Sequence, residues 1–455
     1  MNKQPIPADF LTTSRAPAIL TNLPPEVRGF IERKEQLAMA LAKKLGVEMD
    51  RPTHNYFELA RQGRYRDASQ IYQDLRERGG KVESPKYDPE LRLPLWDPLL
   101  DVQLVMDAYA AGAGPFATAF GEDIAQSIPP GSIYFGGTDP GRGLPAAFSV
   151  PTVNGESFFI LSQNQLADGQ HRTFLRAAYG ERMHVPSDAD VQKCFERYLE
   201  DVERRYKHDQ GFPTEPPQLK PGEAVTMVDG RPQVTGPAPV MMINGLIALA
   251  TFDQNPDREF FVEESFPLDW MYPHLTPHGL IMKINRQPVT ELTPDIAAKD
   301  RAFWMQKQKE FIGDWLVPDT PVREVCEFVE QVFLRKDFTG FKGNPAFVGN
   351  YYSCASYSKL RSSQAGIYHW RAGHSKSSQE QRRMSAEADF AFRQAFALDP
   401  SNPEASFRYA NLLISLKRVD DALLIARTSA NLRPAEAPRE NLVRELEKIR
   451  QPKGN

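Results

Sequence analysis

Cysteine is scarce in this chain. Cys194, Cys326 and Cys354 are the whole complement; an odd number of widely separated cysteines excludes a disulfide framework and a CxxC metal or redox pair, and leaves buried small hydrophobes. Long apolar runs are missing too. The longest, Val240 to Phe252, is interrupted by Asn244 and Gly245. It falls short of the roughly 20 residues that cross a bilayer, so it reads as a core helix and no transmembrane segment is expected. Met1 to Pro7 has no apolar h-region, which excludes a signal peptide there and, on the chain alone, points to the cytoplasm. No basic block stands out among 55 Lys and Arg and 59 Asp and Glu, net charge −4, so the electrostatic footprint of a nucleic-acid binder is absent. Complete catalytic motifs are lacking as well: no GxSxG elbow, no GxGxxG turn, no HExxH pair and no local Cys/His pairing. No cofactor is expected.

What the chain does have is punctuation and length. Its 38 prolines in 455 residues exceed the usual share of about 5% and imply many turns, and the length implies two or three packed units. The organising stretch runs from Ile133 to Asp168. Two short runs rich in aromatic and β-branched residues, Ile133–Phe135 and Phe158–Leu161, each end in a polar loop before a helix-like segment, as successive strands of a partly parallel sheet do. Loops leaving the carboxyl ends of such strands are where ligands gather. The fold class is therefore α/β, a mixed, partly parallel sheet with flanking helices, joined to all-α segments at both ends. The boundaries read as 1–83 helical, 84–290 α/β, 291–375 helical and 376–455 helical repeats.

Residues 24–45 show helical spacing after Pro24-Pro25. Tyr56 to Leu75 looks like one helical hairpin of the tetratricopeptide type, with Gly63 at the turn and Ala68 at a close approach; an unrelated hairpin is the alternative. Ser187 with Asp190 three residues on resembles a capping box, and the helix it opens puts Phe195, Tyr198, Leu199, Val202 and Tyr206 on one face, as for a helix laid on a sheet. Asp229-Gly230 predicts a two-residue hairpin. Strands are predicted at Glu259–Val262 and Leu280–Ile284. Thr320 reads as the N-cap of the next helix, with Pro321 at its first turn. Arg371 to Glu380 lacks periodicity and reads as a linker. The clearest repeat is C-terminal: Ala388 and Ala422, like Pro400 and Pro434, stand 34 apart, the tetratricopeptide period. So short an array is expected to dock on the preceding helices.

Three constellations offer chemistry. Gly136-Gly137-Thr138-Asp139-Pro140-Gly141-Arg142-Gly143 has the glycine spacing of a phosphate-binding loop. Arg142 and Gly143 replace its lysine and hydroxyl, Pro140 deletes an N–H and Asp139 adds negative charge, so nucleotide hydrolysis is set aside. A weaker reading keeps the turn as a cradle for an anionic or sugar group with Arg142 as counter-charge; the default is a tight strand-to-helix turn. Asp139, Asn164, Asp168, Glu263 and Glu264 each follow a predicted strand and are candidates for ligand contact or acid/base work. Solvated carboxylates and N-caps are the default there. His274 and His278 are four apart, but Pro273 and Pro277 break the helix a metal pair would need, so turn histidines are the default and no metal site is expected.

Four segments carry a resemblance: IPPGSIYFGGTDPGR, SQNQLADG, EESFPLDWMYPHLTPHGLIMKINRQP and SKLRSSQAGIYHWR. They are similar to the soluble C-terminal region of large bacterial membrane proteins whose N-terminal spans resemble protein O-mannosyltransferases, with tetratricopeptide repeats following. The resemblance covers most of residues 24–434. It implies an accessory, extracytoplasmic module whose catalysis belongs to the membrane region, and it supplies no catalytic residue. The expectation is thus a non-catalytic interaction module with a protein partner bound through the repeat helices or a membrane-embedded region. The alternative is an enzyme or binding protein for a sugar or phosphorylated small molecule, held by Gly136, Gly137, Asp139, Arg142, Asn164, Asp168, Glu263 and Glu264.

Overall fold

The computed structural model describes residues 17–80, 95–137, 139–150, 157–228, 230–263, 268–434 and 436–450. In chain order its helices are α1 Pro25–Leu45, α2 Arg51–Arg61, α3 Tyr65–Gly80, α4 Trp96–Ala110, α5 Gly114–Ser127, α6 Pro140–Phe148, α7 Gly169–Tyr179, α8 Asp188–Gly211 and α9 Pro237–Asp253. They continue as α10 Pro294–Ile312, α11 Val322–Val329, α12 Pro345–Val348, α13 Tyr351–His374, α14 Ser378–Leu398, α15 Pro403–Ser415, α16 Val419–Leu432 and α17 Ala437–Arg450. The strands are β1 Ile133–Gly136, β2 Phe159–Ser162, β3 Ala224–Val228, β4 Arg231–Thr235, β5 Phe260–Val262, β6 Leu275–His278 and β7 Ile281–Ile284. Two units result, Met1–Ala110 with Pro129–Phe260 and Ala111–Ile128 with Phe261–Asn455. Pairing is parallel for β1–β2 in the first and antiparallel for β6–β7 in the second, so the strand component is mixed and only partly parallel. No described helix is long and apolar enough to cross a membrane.

In the first unit, local chemistry sets most helix ends. Proline occupies the first turn of α1, and Gly46 closes it at φ 64°, the left-handed cap that lacks a Cβ penalty. The Asp50 side chain accepts from the Thr53 N–H to cap α2. Gly63 turns α2 into α3 at φ 69°, and a Cβ there would lie 2.5 Å from the Leu20 carbonyl oxygen, so no other residue fits. Tyr65 and Gln103 both donate to Asp107 Oδ1, at 3.0 and 2.6 Å, and Tyr56 donates to Gln103. This polar seam ties the hairpin to α4. Burial pushes the Asp107 carboxyl up to about 6, although the Gln103 and Tyr65 hydrogen bonds pull the other way.

β1 and β2 run in parallel register from Ile133 opposite Phe159 to Gly136 opposite Ser162, and every residue of both is buried. Helix α8 opens with the Ser187–Asp190 capping box. Its packing differs from expectation: it lies on α9 and β4, so only Tyr198 and Val202 of the five named residues are buried, while Phe195 is 42% exposed. An Arg205–Glu223 pair, with Tyr198 donating to the same carboxylate at 2.9 Å, replaces the apolar face a sheet would have demanded. β3 and β4 pair antiparallel around Gly230 at φ 75°; Asp229 lies outside the described residues.

The second unit is built on aromatic packing. Phe311 and Phe347 stack at 4.2 Å, and Phe116 and Tyr357 close around them. Each such fully buried ring contributes roughly 2–3 kcal/mol by removal from water. Three expectations are corrected here. Arg371 to Glu380 is not a linker: α13 runs through His374 and α14 begins at Ser378. Periodicity failed because the buried face of α13 is polar. Arg361 pairs with Asp300 at 2.7 Å, Gln364 donates to the Gly279 and Ile281 carbonyls, and Arg371 donates to the Val289 carbonyl. Thr320 does not cap α11; Pro321 takes that position, and the Thr320 hydroxyl accepts from the Val317 N–H. His278 belongs to a strand, β6, hidden in sequence by Pro277 and by its shortness. Of the cysteines, Cys326 and Cys354 are buried and Cys194 is only partly so.

Helices α13 to α17 pack in succession, each on the next. Ala388, Ala395, Ala422 and Ala426 are at most 1% exposed, since small residues allow the close helix approach that the 34-residue period requires. Helix α11 packs on α14 and α16, and α13 on β6 and β7. The short array is thereby completed by its own unit, as a repeat too short to stand alone requires.

Candidate functional site

The parallel pairing of β1 and β2 brings the loops after them out at the same end, and one side chain joins those loops. Arg142, on the first turn of α6, is 1% exposed. Its Nε donates to Asp101 Oδ1 at 2.6 Å and its Nη2 to Asp97 Oδ1 at 2.7 Å. Its Nη1 donates to the Ser162 hydroxyl, and to Gln165 Oε1 at 3.3 Å. Both aspartates come from α4, one turn apart. The reach depends on Gly143, where a Cβ would stand 2.9 Å from Leu104 Cβ and 3.0 Å from the Asp101 carbonyl oxygen. A side chain at 143 would push α6 off α4.

Lys34 of α1 completes the charge balance by pairing with Asp101 Oδ2 at 2.8 Å. His171 Nδ1 lies 2.7 Å from Asp97 Oδ1. Burial alone would raise the Asp97 carboxyl, but His171 and Arg142 outweigh it and hold its pKa at about 2. The Arg142 guanidinium loses by burial and gains more from Asp101 and Asp97, so its pKa rises. A carboxylate can only accept, so His171 Nδ1 carries a proton and the ring points its Nε2 away from Asp97. That Nε2 is buried without a protein partner, as are both side-chain polar atoms of Gln163. An orienting carboxylate behind an imidazole is the arrangement of a general base. The nearest hydroxyl of the network, Ser162, donates to the Gly137 carbonyl at 3.2 Å and receives Arg142, so it is engaged in structure.

The residues singled out in sequence are placed as follows. Gly136 ends β1 and, with Gly137, is buried. Asp139 caps α6, accepting from the Gly141 N–H at 3.1 Å. Asn164 lies in the 3-10 turn after β2, its carbonyl accepting from the Asn244 side chain at 3.2 Å. Asp168 caps α7 by accepting from the Gln170 and His171 N–H groups. Glu263 belongs to the second unit, buried against Lys359 Nζ at 2.9 Å. Glu264 lies outside the described residues. Sequence reasoning missed Asp97, Asp101, Lys34 and His171. One signal was available: two carboxylates four apart in an otherwise apolar helix face a common, buried partner. His274 and His278 go to separate carbonyls, those of Asn285 at 2.7 Å and Ser127 at 2.8 Å. Among the described residues no group of three or more His, Cys, Asp or Glu could hold a metal.

A second candidate surface lies beside the repeat helices. Trp370 of α13 is sandwiched between Tyr272 at 5.4 Å and His374 at 4.2 Å, both stacked. Trp370 and Tyr272 are half-buried and His374 is exposed. Beside them Arg408 of α15 donates to Glu404 at 2.8 Å and to the Ser362 carbonyl at 3.4 Å. Half-exposed Trp, Tyr and Arg are the residue types that concentrate binding energy at protein interfaces. Neither a curated protein sequence nor a solved structure matches the chain. A family profile, that of the tetratricopeptide repeat, matches residues 384–443, the segment in which the 34-residue spacing and the alanine contacts occur.

Proposed function

We propose that the chain is a non-catalytic interaction module whose repeat helices take a protein partner, and that this partner is a membrane glycosyltransferase-like protein. The observation that carries the reading is the tetratricopeptide match over residues 384–443. It is supported by the half-buried Tyr272, Trp370 and Arg408 and the exposed His374. The membrane glycosyltransferase as partner rests on the resemblance of the segments around residues 128–142 and 263–288. In this reading segments 1–83 and 376–455 serve partners, with Tyr272, Trp370 and His374 contributed from segments 84–290 and 291–375, which otherwise serve as the framework. The test is affinity capture of the candidate partner from detergent-solubilised membranes by wild-type chain and by a Trp370→Ala, Arg408→Ala double variant. Capture falls by about tenfold or more in the variant if two interface anchors are lost. Equal capture contradicts the reading.

A second reading is favoured by one observation, the unpartnered His171 Nε2 and Gln163 amide at the carboxyl ends of β1 and β2. Here a sugar or phosphorylated small molecule binds at the loops bearing Gly137, Asp139, Asn164 and Asp168. Thermal denaturation against a panel of sugars and sugar phosphates tests it. A stabilising compound whose effect disappears in His171→Phe supports it, and a panel without effect counts against it.

A further inference from the structure

At the other end of β2 from His171, a guanidinium rests on aromatic rings beside an open cleft. Arg182 Cζ lies 5.0 Å from the centroid of Phe159, the first residue of β2, and 5.7 Å from that of Tyr179, the last of α7. Arg258 approaches the same Phe159 ring at 5.2 Å. The two arginines are used differently. Arg258 is a strut, donating to the Gly131 carbonyl at 2.9 Å and to the Arg182 carbonyl at 2.6 Å. Arg182 makes one long bond, 3.4 Å to the Ala178 carbonyl, and among the described residues no carboxylate pairs with it. Its other N–H groups meet no hydrogen-bond acceptor among the described residues.

The cleft holds about 400 Å³ and has residues 180–184 on one wall and 254–258 on the other. Asn255 fixes the walls to each other: its Oδ1 accepts from the His184 N–H at 2.8 Å and its Nδ2 donates to the His184 carbonyl at 2.9 Å. Two carboxylates line it. Glu181 is drawn away by Lys44 Nζ at 3.0 Å, and Lys44 is itself steadied by the Ala177 carbonyl at 2.9 Å. Asp257 is exposed. The balance left is positive, and Arg182 carries it against the Phe159 and Tyr179 rings.

A planar guanidinium resting against aromatic rings keeps its donors in a fork that matches two oxygens of a phosphate, and its weak hydration makes that exchange cheap. We infer that this cleft is a binding site for a phosphate-class oxyanion of a small soluble molecule, held in two-point contact by Arg182. Arg258 supplies the second positive charge and Lys44 keeps Glu181 from competing.

The test uses the full chain and inorganic phosphate as probe, by thermal shift and calorimetric titration at constant ionic strength against chloride. Phosphate raises Tm in the wild type and not in Arg182→Gln. Two exposed variants make the result independent of whether Arg182→Gln folds. Asp257→Asn lowers Kd roughly two- to fivefold, the range of an exposed charge pair, and Lys44→Ala raises it similarly by releasing Glu181. Absence of a phosphate-specific shift in the wild type overturns the inference. So does a Kd unchanged in Asp257→Asn and Lys44→Ala. Phosphate binding is unaffected by His171→Phe, which separates this cleft from the site at the carboxyl ends of the strands.

Discussion

Arg142 binds two buried aspartates, a serine and a glutamine with one guanidinium, so replacing it leaves carboxylates in the interior with less counter-charge than they need. Breaking a buried pair from one side costs about 3–5 kcal/mol, and Arg142→Met should lose stability of that size in urea denaturation; a loss under about 1 kcal/mol would contradict the network. Asp107 carries the opposite kind of pH dependence from Asp97. Its native pKa of about 6 lies above the ordinary 3.8, so the folded state binds its proton more tightly and stability falls as pH rises through that window. The ionised form costs about 3 kcal/mol above pH 6, a cost absent below about pH 4. Asp107→Asn keeps an oxygen acceptor for Tyr65 and Gln103. It should therefore raise Tm at pH 8, with the gain vanishing near pH 4; a gain independent of pH would show that charge is not the cause. Asp97, held near 2, contributes stability above pH 4 that is lost only as pH falls toward 2.

Among the elements, α15 and α16 meet at Lys417, which sits at φ 62°, a left-handed position that costs a side-chain-bearing residue about 1 kcal/mol. Lys417→Gly should stabilise the chain by that amount in equilibrium unfolding, and a loss instead would show that the exposed lysine is itself needed. Elements written by local chemistry were legible in the sequence: the Gly63 turn, the Ser187–Asp190 box and the aromatic and β-branched runs that mark β1 and β2. The 34-residue period was legible because small residues recur wherever helices touch. Helix α13 was legible only in part, since a buried face made of Arg361, Gln364 and Arg371 has the hydropathy of a solvated one. Short β6 carries a proline inside it, and nothing in four residues announces a strand. The Arg142 network was legible only as the Asp97 and Asp101 spacing, because α4, α6 and α7 are far apart in sequence and what unites them is a set of tertiary hydrogen bonds.

For the molecule as a whole, recognition is proposed to lie with the repeat helices and catalysis with a partner. Neither the polar seam of Asp107 nor the network of Arg142 enters that claim; they hold the first unit together. The claim is tested most directly by placing a photo-crosslinking residue at position 370 or 408, and for comparison at the exposed position Arg197 on α8, and irradiating in native membranes. The account predicts a discrete adduct with a membrane glycosyltransferase-like protein from positions 370 and 408 and none from 197. Adducts indistinguishable among the three positions, or none at all, would contradict it.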